Sequence, residues 1–444
     1  MRLTERQVGV EVIQKSWGSI HRFLLWSVFL VGLSIFTFLA PAALADFQPT
    51  VEEELEWYEQ ALEEPGYTHF GRGPVDIALE PYDRAREWAN TNLGLDWVVA
   101  YSYLYQHRSH GCEWANRNTK GCEKWTNNSE LDFLARWDLV DSEQFGQGSF
   151  NFMTTYIWEK RDYTGGGAGA STADVTASAG TAFTVSDSEN LDARMRQAYW
   201  TQSLFDDGFE AHVGQIEVPS FFDGNRYANN DRDQFIGQVW TKNIRSNVNI
   251  FGLGAALSVK PNDLFYARAG FVDGNSNGEN PKWSTFKRGE YIYLAELGFT
   301  PDIPGWGKGI YRISPYEADR AKTGAQGRGV TISFEQETPW DAALWLRGGI
   351  SDHRRNEFEQ FLGGGTVFTN PFGFNRDQVG LAFGWGRTAD SSARRNTYLA
   401  EAYWRFQLTE RFEFSPDLQM HLQPANQKGR AATYVAGLRG MVRF

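Results

Sequence analysis

The last twelve residues of the chain, 433–444, constrain its fold more than any other stretch. Successive side chains of a β-strand point to opposite faces. One face of this strand would be mainly apolar, and the other would bear two arginines, Arg439 and Arg443. An apolar face backed by an arginine-bearing face suits a wall between lipid and water, and an edge strand of a soluble sandwich is the alternative. The apolar face would carry Tyr434, Ala436, Leu438, Gly440, Val442 and Phe444.

The same two-residue alternation recurs from Leu95 onward and predicts sixteen strands. An even number is expected of bacterial outer-membrane barrels, whose short periplasmic turns alternate with longer outer loops. The sequence therefore predicts an all-β fold, a 16-stranded antiparallel transmembrane β-barrel over residues 95–444. Pro416 interrupts one strand, where we expect a bulge. The predicted strands are 95–106, 130–140, 148–160, 190–203, 208–216, 248–259, 263–273, 290–299, 308–318, 328–337, 342–352, 357–366, 376–387, 396–408, 411–422 and 432–444.

The first 94 residues differ from the barrel pattern. Residues 1–45 have a basic start, an apolar stretch at 23–39 and a small-residue site at 43–45, which predicts a Sec signal peptide. An uncleaved transmembrane anchor is the alternative. Residues 46–94 predict a helical segment on the periplasmic side or against the barrel mouth, with an acidic helix at 51–64 and a second helix at 82–92.

Charge and composition narrow the function. The chain has a net charge of −12, and residues 1–45 hold four basic and two acidic residues, so their removal leaves about −14. Nucleic acid is therefore not an expected partner, because phosphate binding requires clustered Lys and Arg. A mean hydropathy of −0.47 combined with 15% aromatic residues fits a barrel whose strands are half apolar and whose interfaces carry aromatic girdles.

Two cysteines, Cys112 and Cys122, lie close together in an exported chain and predict a disulfide within one loop. A zinc site with His107 and His110 is the alternative, but zinc thiolates are disfavoured in an oxidising compartment. We therefore expect no metal and no cofactor.

The connection at 217–247 is the longest between the predicted strands and should lie on the outer side. A barrel of about sixteen strands leaves an aqueous channel. A long loop that folds inward would narrow it, and a surface loop is the alternative. The loop at 165–189 is rich in Gly, Ala, Ser and Thr and is expected to be flexible.

An ordered series of short motifs, running from about residue 84 to residue 444, resembles the carbohydrate-selective porins of the OprB type. They include Phe-Phe-Asp-Gly-Asn-Arg-Tyr-Ala-Asn at 221–229, Lys-Pro-Asn-Asp at 260–263, Ala-Glu-Leu-Gly-Phe at 295–299, Gln-Val-Gly-Leu-Ala-Phe-Gly-Trp-Gly at 378–386 and Glu-Ala-Tyr-Trp-Arg-Phe-Gln-Leu-Thr at 401–409. The resemblance implies an outer-membrane barrel that lets sugars diffuse into the periplasm through a constriction lined by arginine and carboxylate.

Arginine presents a fixed fork of donors that suits sugar hydroxyls, and a channel needs contacts weak enough to release its solute. We therefore choose candidate residues for the constriction from the inward faces and the long loop, with neutralisation of opposite walls as their alternative role. On the strands the candidates are Arg268, Glu296, Arg347, Glu401, Arg405 and Arg439. On the loop they are Asp223, Asn225, Arg226 and Arg232.

The predicted function is selective passive diffusion of mono- or oligosaccharides across the bacterial outer membrane. An anion or phosphate porin and a non-conducting barrel that acts as an adhesin or an enzyme remain alternatives. The sequence contains no His-Glu-x-x-His and no Gly-x-Ser-x-Gly motif, and Glu335 with Glu337 predicts a hydrated wall rather than a glycosidase pair. The expected partners are sugars, outer-membrane lipid and lipopolysaccharide, the barrel-assembly machinery through Phe444, and two further copies if the protein is a homotrimer rather than a monomer.

Overall fold

The computed structural model describes Leu55 and residues 68–109, 125–160, 192–205, 207–243, 251–276, 281–319, 327–352, 358–374, 376–388, 396–423 and 431–444. The expected signal peptide, the cysteine pair and the flexible loop at 165–189 lie outside the described residues. So does the acidic helix, except for Leu55, which is helical and buried.

Sixteen antiparallel strands in the described part of the chain form a closed ring, so the predicted fold class is confirmed. Each strand pairs with its neighbours in sequence, and the last strand pairs with the first, for example Tyr103 with Gly440. An additional two-residue strand, Asp302–Ile303, pairs only with Gly307 and Lys308. The strands are β1 Leu95–Arg108, β2 Trp125–Ser142, β3 Gly146–Lys160, β4 Asp192–Leu204, β5 Phe209–Glu217, β6 Phe251–Asn262, β7 Phe265–Asp273, β8 Tyr291–Phe299, β9 Gly307–Ala318, β10 Gly327–Thr338, β11 Ala342–Ser351, β12 Phe358–Thr369, β13 Gln378–Thr388, β14 Asn396–Gln407, β15 Phe412–Leu422 and β16 Ala432–Arg443.

The two faces of the ring differ as the alternation predicts. On β16, Tyr434 and Leu438 are exposed, whereas Arg439 and Arg443 are buried. The same holds on β14 and β15, where Glu401 and Asp417 point inward while Leu418 is 64% exposed on the outside. The ring is therefore apolar outside and polar inside, as a wall in a lipid bilayer requires.

The bulge expected at Pro416 is absent, so this prediction is wrong. Residues 412–422 pair with β16 without a change of register. The ladder with β14 runs from Tyr403–Asp417 to Phe406–Phe414 in the same register and omits only the pairs between them. Proline removes one backbone donor. Here the strand loses ladder pairs locally without inserting a residue.

Two helices, α1 Pro74–Ala78 and α2 Glu80–Leu93, lie against the end of the barrel that carries its short turns. The predicted second helix at 82–92 thus corresponds to α2. Proline in the first turn of each helix suits a position whose N–H has no helical partner. Gly94 ends α2 in a left-handed conformation at φ 63°. None of the helices in the described part of the chain is long and apolar enough to cross a membrane.

Ion pairs made by two buried arginines, Arg86 and Arg411, hold these helices against the strand ends. The guanidinium of Arg86 donates from Nε to Asp96 Oδ1 at 2.5 Å and from Nη2 to Oδ2 at 2.7 Å. Arg411, at the start of β15, donates to Asp83 and lies 3.9 Å from Asp76. Backbone bonds extend the attachment, because Phe70 N donates to Leu408 O at 2.9 Å.

We expect Arg86→Ala to release α2 from the barrel rim. Hydrogen bonds to charged groups contribute about 1.5–3 kcal/mol, and Asp96 would be left buried without its arginine. Hydrogen exchange of the α2 amides should therefore accelerate while the strands keep their protection. Arg84→Ala is the matched control, because the Arg84 side chain is 70% exposed and meets Glu80 only at 4.0 Å. Equal exchange in both variants would contradict this role of Arg86.

Candidate functional site

The connection between β5 and β6 crosses the barrel interior. We call its described part, residues 218–243, the inner loop; it contains the short helices α3 Val218–Phe221 and α4 Gln238–Lys242. Its residues bond to inward-facing side chains of β2, β8, β10, β11, β14 and β16, which lie all around the ring. A remaining helix, α5 Trp283–Phe286, lies between β7 and β8, outside this site.

Arg347 of β11 binds three separate parts of the inner loop. The buried guanidinium donates from Nη1 to the carbonyl oxygens of Ala228 at 2.6 Å and Trp240 at 2.5 Å. Its Nη2 donates to the carbonyl of Asp223. The five donors of a guanidinium suit this task, since one rigid group can bind several backbone acceptors. Arg347 therefore links the start of the inner loop, at Asp223, to its end, at Trp240.

Two buried carboxylates bind the backbone of the same loop. Glu401 of β14 accepts from Ile236 N at 2.5 Å, Gly237 N at 2.9 Å and Trp240 Nε1 at 2.8 Å. Glu296 of β8 accepts from Asp223 N at 2.5 Å. Asp223 has a left-handed backbone, with φ 61°. Wall carboxylates thus satisfy three backbone amides of the loop, as buried N–H groups require.

An arginine–carboxylate cluster lies where the inner loop meets β9 and β10. Arg226 donates from Nε to Glu335 Oε1 at 3.1 Å and from Nη1 to Glu337 Oε1 at 3.3 Å. Arg312 of β9 reaches the same Glu335 oxygen at 3.5 Å and donates to the carbonyl of Gly224 at 3.0 Å. Glu335 and Glu337 therefore serve as ligands of arginine at the base of the loop.

The far part of the loop reaches the opposite wall. Arg232 donates to Asp132 Oδ2 at 2.6 Å and to Glu130 Oε1 at 2.8 Å, both on β2. Arg196 of β4 bonds the same Glu130 oxygen at 3.2 Å and Glu217 Oε1 at 3.0 Å. Five charged groups thus form one network in which three carboxylates face two arginines.

A third group of charges surrounds Asp233. This loop carboxylate accepts from Arg405 Nη1 at 3.3 Å and lies 3.7 Å from Arg443. Burial raises the pKa of Asp233, and the positive charges of Arg405 and Arg443 act to lower it. Nearby, Arg439 Nη1 donates to the carbonyl oxygens of Asp231 at 2.7 Å and Gln234 at 2.9 Å.

Three aromatic side chains of the inner loop lie where the wall has glycine. A Cβ added at Gly363 of β12 would come within 2.4 Å of the Trp240 ring, and one at Gly384 of β13 within 2.9 Å. A Cβ at Gly380 would approach the Phe235 ring to 2.8 Å, and a Cβ at Gly270 would approach the Phe222 ring to 2.9 Å. We call the surface formed by Gly363 and Gly384 the glycine notch. It lets the tryptophan ring contact the wall backbone directly.

One edge of the inner loop remains accessible inside the barrel. The guanidinium of Arg226 lies over the ring of Tyr227, 5.5 Å from its centroid. Side-chain amides and one carboxylate also lie along this edge. Its partly exposed residues are Arg226, Tyr227, Asn229, Asn230, Asp231 and Gln234.

Eight of the ten candidate residues take part in the contacts just described, and Arg268 joins them by donating to the carbonyl of Phe221 at 3.0 Å. Asn225 Nδ2 bonds Ser333 Oγ at 3.2 Å. The structure thus brings all ten to the boundary between loop and wall, where most hold the loop; their action on a solute remains a prediction. Sequence reasoning did not select six residues of the same boundary, Glu130, Asp132, Arg196, Trp240, Arg312 and Glu335.

Comparisons with known proteins agree with this architecture. The chain is 24% identical over 361 residues to porin AaxA of Chlamydia pneumoniae, covering 79% of this chain and 78% of that protein. It is 21% identical to porin AaxA of Chlamydia felis, over 68% of each chain.

Among solved structures, a high-pH structure of Pseudomonas putida OprB superimposes with a TM-score of 0.67 at 15% identity. The match covers 82% of this chain and 97% of the other, and it supports the barrel fold. The family model described as carbohydrate-selective porin, OprB family, matches residues 161–338 and 334–444, more than half of the chain. The protein therefore belongs to the OprB family of porins.

Proposed function

We propose that this outer-membrane porin conducts carbohydrates selectively, by passive diffusion past the inner loop into the periplasm. The observation that carries the proposal is the accessible edge of the loop. It offers a tyrosine ring with an arginine over it, followed by amide and carboxylate groups. An aromatic face can stack on the apolar face of a pyranose, while amides and carboxylates match hydroxyl groups that both donate and accept.

The charge pattern favours a neutral polar solute over phosphate. A phosphate channel would need arginines whose donors are available to an anion. Here Arg226 is bound to Glu335 and Glu337, and Arg232 is bound to Glu130 and Asp132. Compensated charges of this kind shape the field without attracting one sign of ion strongly. The ten candidate residues are proposed to set the constriction through the position of the inner loop.

Export, membrane insertion and assembly involve parts of the chain other than the pore. Residues 1–45 would direct export and residues 46–94 would face the periplasm. Phe444 would be read by the barrel-assembly machinery, and the outer wall would contact lipid and lipopolysaccharide. Diffusion needs no catalysis, and the paired carboxylates Glu335 and Glu337 are bound by an arginine rather than set around a cleavable bond. Both a monomer and a homotrimer are compatible with the proposal.

Planar-bilayer conductance tests the proposal. We expect an open channel whose current is reduced by added neutral mono- or disaccharides in a dose-dependent manner. Tyr227→Ala should weaken this block roughly two- to tenfold, since an aromatic contact contributes about 0.5–1.5 kcal/mol. Liposome swelling with sugars of increasing size then defines the size limit.

Tyr434→Ala is the matched control, because Tyr434 lies on the outer face and is 52% exposed. It should leave the sugar block unchanged. Block by phosphate with no effect of sugar would favour the anion porin, and an absence of conductance would favour the non-conducting barrel.

A further inference from the structure

We propose that α2 is an interfacial helix, and that its outer flank rests on the phospholipid headgroup layer at the short-turn end of the barrel. Contacts with the strand ends orient α2 at the rim of the barrel, whatever solute the channel conducts.

One side of α2 is directed to the barrel interior. Arg86 bonds Asp96, and Asp83 accepts from Arg411; Asp96 and Arg411 are both buried on the inner side of their strands. The adjacent side of the helix lies on the rim itself. The hydroxyl of Tyr82 donates to the carbonyl of Phe444 at 3.1 Å.

On its other side, α2 contacts side chains of the outer face of the barrel. The ring of Tyr82 meets outward-facing Trp97 edge-on, with 6.2 Å between centroids. At the end of the helix, Nε1 of Trp137 donates to the carbonyl of Leu93 at 3.0 Å. Trp137 is an outward residue of β2 and is 46% exposed. The helix therefore lies across the rim, with one flank on the lipid side.

Helical periodicity identifies that flank. Each residue turns about 100° around the axis. Passing from the interior side at Asp83 through Arg86 and Tyr82, the next positions around the helix are those of Ala89, which is buried, and then Ala85, Asn92, Pro81 and Trp88. Ala85, Pro81 and Trp88 form an exposed apolar flank, with Trp88 at 59%. Asn92 lies among them, and its Nδ2 donates to the carbonyl of Trp88 at 2.7 Å. The charged residues Arg84, Glu80 and Glu87 follow beyond it, before the helix surface returns to Asp83.

The apolar flank continues the lipid-facing wall, which identifies its partner. Trp137, Leu139 and Phe145 are exposed on the adjoining end of β2 and its turn. Tryptophan is enriched at membrane interfaces because its ring is apolar while its N–H seeks a polar partner. An exposed apolar flank next to this band, with charges facing water, has the pattern of a helix lying in the interface. The buried Arg86–Asp96 pair holds α2 at that depth.

Site-directed fluorescence tests the proposal in the full chain. Trp88→Cys and Arg84→Cys are made in a background in which both native cysteines are replaced by serine, and each is labelled with an environment-sensitive dye. The protein is placed in nanodiscs of phosphatidylethanolamine and phosphatidylglycerol. We expect the dye at position 88 to be quenched several-fold more by shallow spin-labelled lipid than the dye at position 84. An aqueous quencher should give the reverse order.

The unlabelled background protein must retain its conductance, which shows that the serine replacements preserve the barrel. Equal aqueous quenching at positions 88 and 84, without lipid quenching at 88, would overturn the proposal. Protection of position 88 from both quenchers would also overturn it, and would indicate that another protein surface covers the flank. A dye at 88 that responds to lipid in nanodiscs holding one copy supports the phospholipid as the partner.

Discussion

Trp240→Ala should open the channel. The Trp240 ring is 1% exposed, occupies the glycine notch and donates to Glu401 at 2.8 Å. Truncating a buried tryptophan costs about 3–5 kcal/mol, which here falls on the docking of the inner loop rather than on strand pairing. The loop should then leave the wall in a large fraction of molecules. Because a barrel of this size is wide without it, we expect single-channel conductance to rise about twofold or more.

Planar-bilayer recordings measure the change, and sugar block should weaken in the same variant. Trp340→Ala is the matched control, since Trp340 lies in a turn and is 68% exposed. Circular dichroism of both variants verifies that the barrel remains folded. An unchanged conductance together with an intact barrel would show that the inner loop does not limit the current.

Gly363→Leu should also release the inner loop, by changing the wall residue that Trp240 contacts. Its side chain would enter the notch, where a Cβ alone already meets the Trp240 ring at 2.4 Å. Overpacking of this kind typically costs about 1–3 kcal/mol. A smaller gain of conductance than in Trp240→Ala is expected, because Glu401 still binds the loop backbone at Gly237.

Much of the barrel could be predicted because the period of a strand is two. Alternation alone placed Glu401, Arg405 and Arg439 on the inward face and Leu438 on the outward face, and the structure agrees. One face of each strand meets lipid, so a shift by one residue would place charges in the bilayer. The pattern is therefore strongly fixed in every strand, and sixteen strands could be recognised in order.

Alternation predicts the wrong face for Arg196. Counted by alternation from Gln197 and Tyr199, which point inward, Arg196 should face lipid. The pairing of β3 with β4 jumps from Met153–Gln197 to Thr154–Met195, so Arg196 is an extra residue at a bulge. A bulge redirects a side chain. Here it turns the guanidinium toward Glu130 and Glu217.

The contacts of the inner loop were beyond sequence reasoning for a different reason. The notch that receives Trp240 comes from two glycines of β12 and β13, far away in the chain. Nothing in the local pattern pairs them. Charge alternation could nominate Glu401 or Arg347 as inward residues, but it could not tell that their partners are backbone amides and carbonyls of the loop. Such pairings depend on distances across the lumen.

The buried pair of Arg312 and Glu335 should show strong energetic coupling. Arg312 is 1% exposed, and it also donates to Tyr266 Oη at 3.1 Å. Removing one member of a buried pair leaves a charge in a medium of low dielectric and costs about 3–5 kcal/mol. We expect Arg312→Met and Glu335→Leu each to lose about this much free energy of unfolding in a urea titration from lipid vesicles.

The double variant should lose less than the sum, with a coupling of about 0.5–3 kcal/mol, because it removes both charges together. Arg328 and Asp352 form the matched control pair at the exposed end of β10, 3.6 Å apart with side chains 67% and 60% exposed. Exposed pairs contribute about 0.2–1 kcal/mol, so their cycle should be nearly additive. Additive losses at Arg312 and Glu335 would mean that each is stabilised separately, Arg312 by Gly224 and Glu335 by Arg226. The inner loop would then be held by independent bonds rather than by one cooperative cluster.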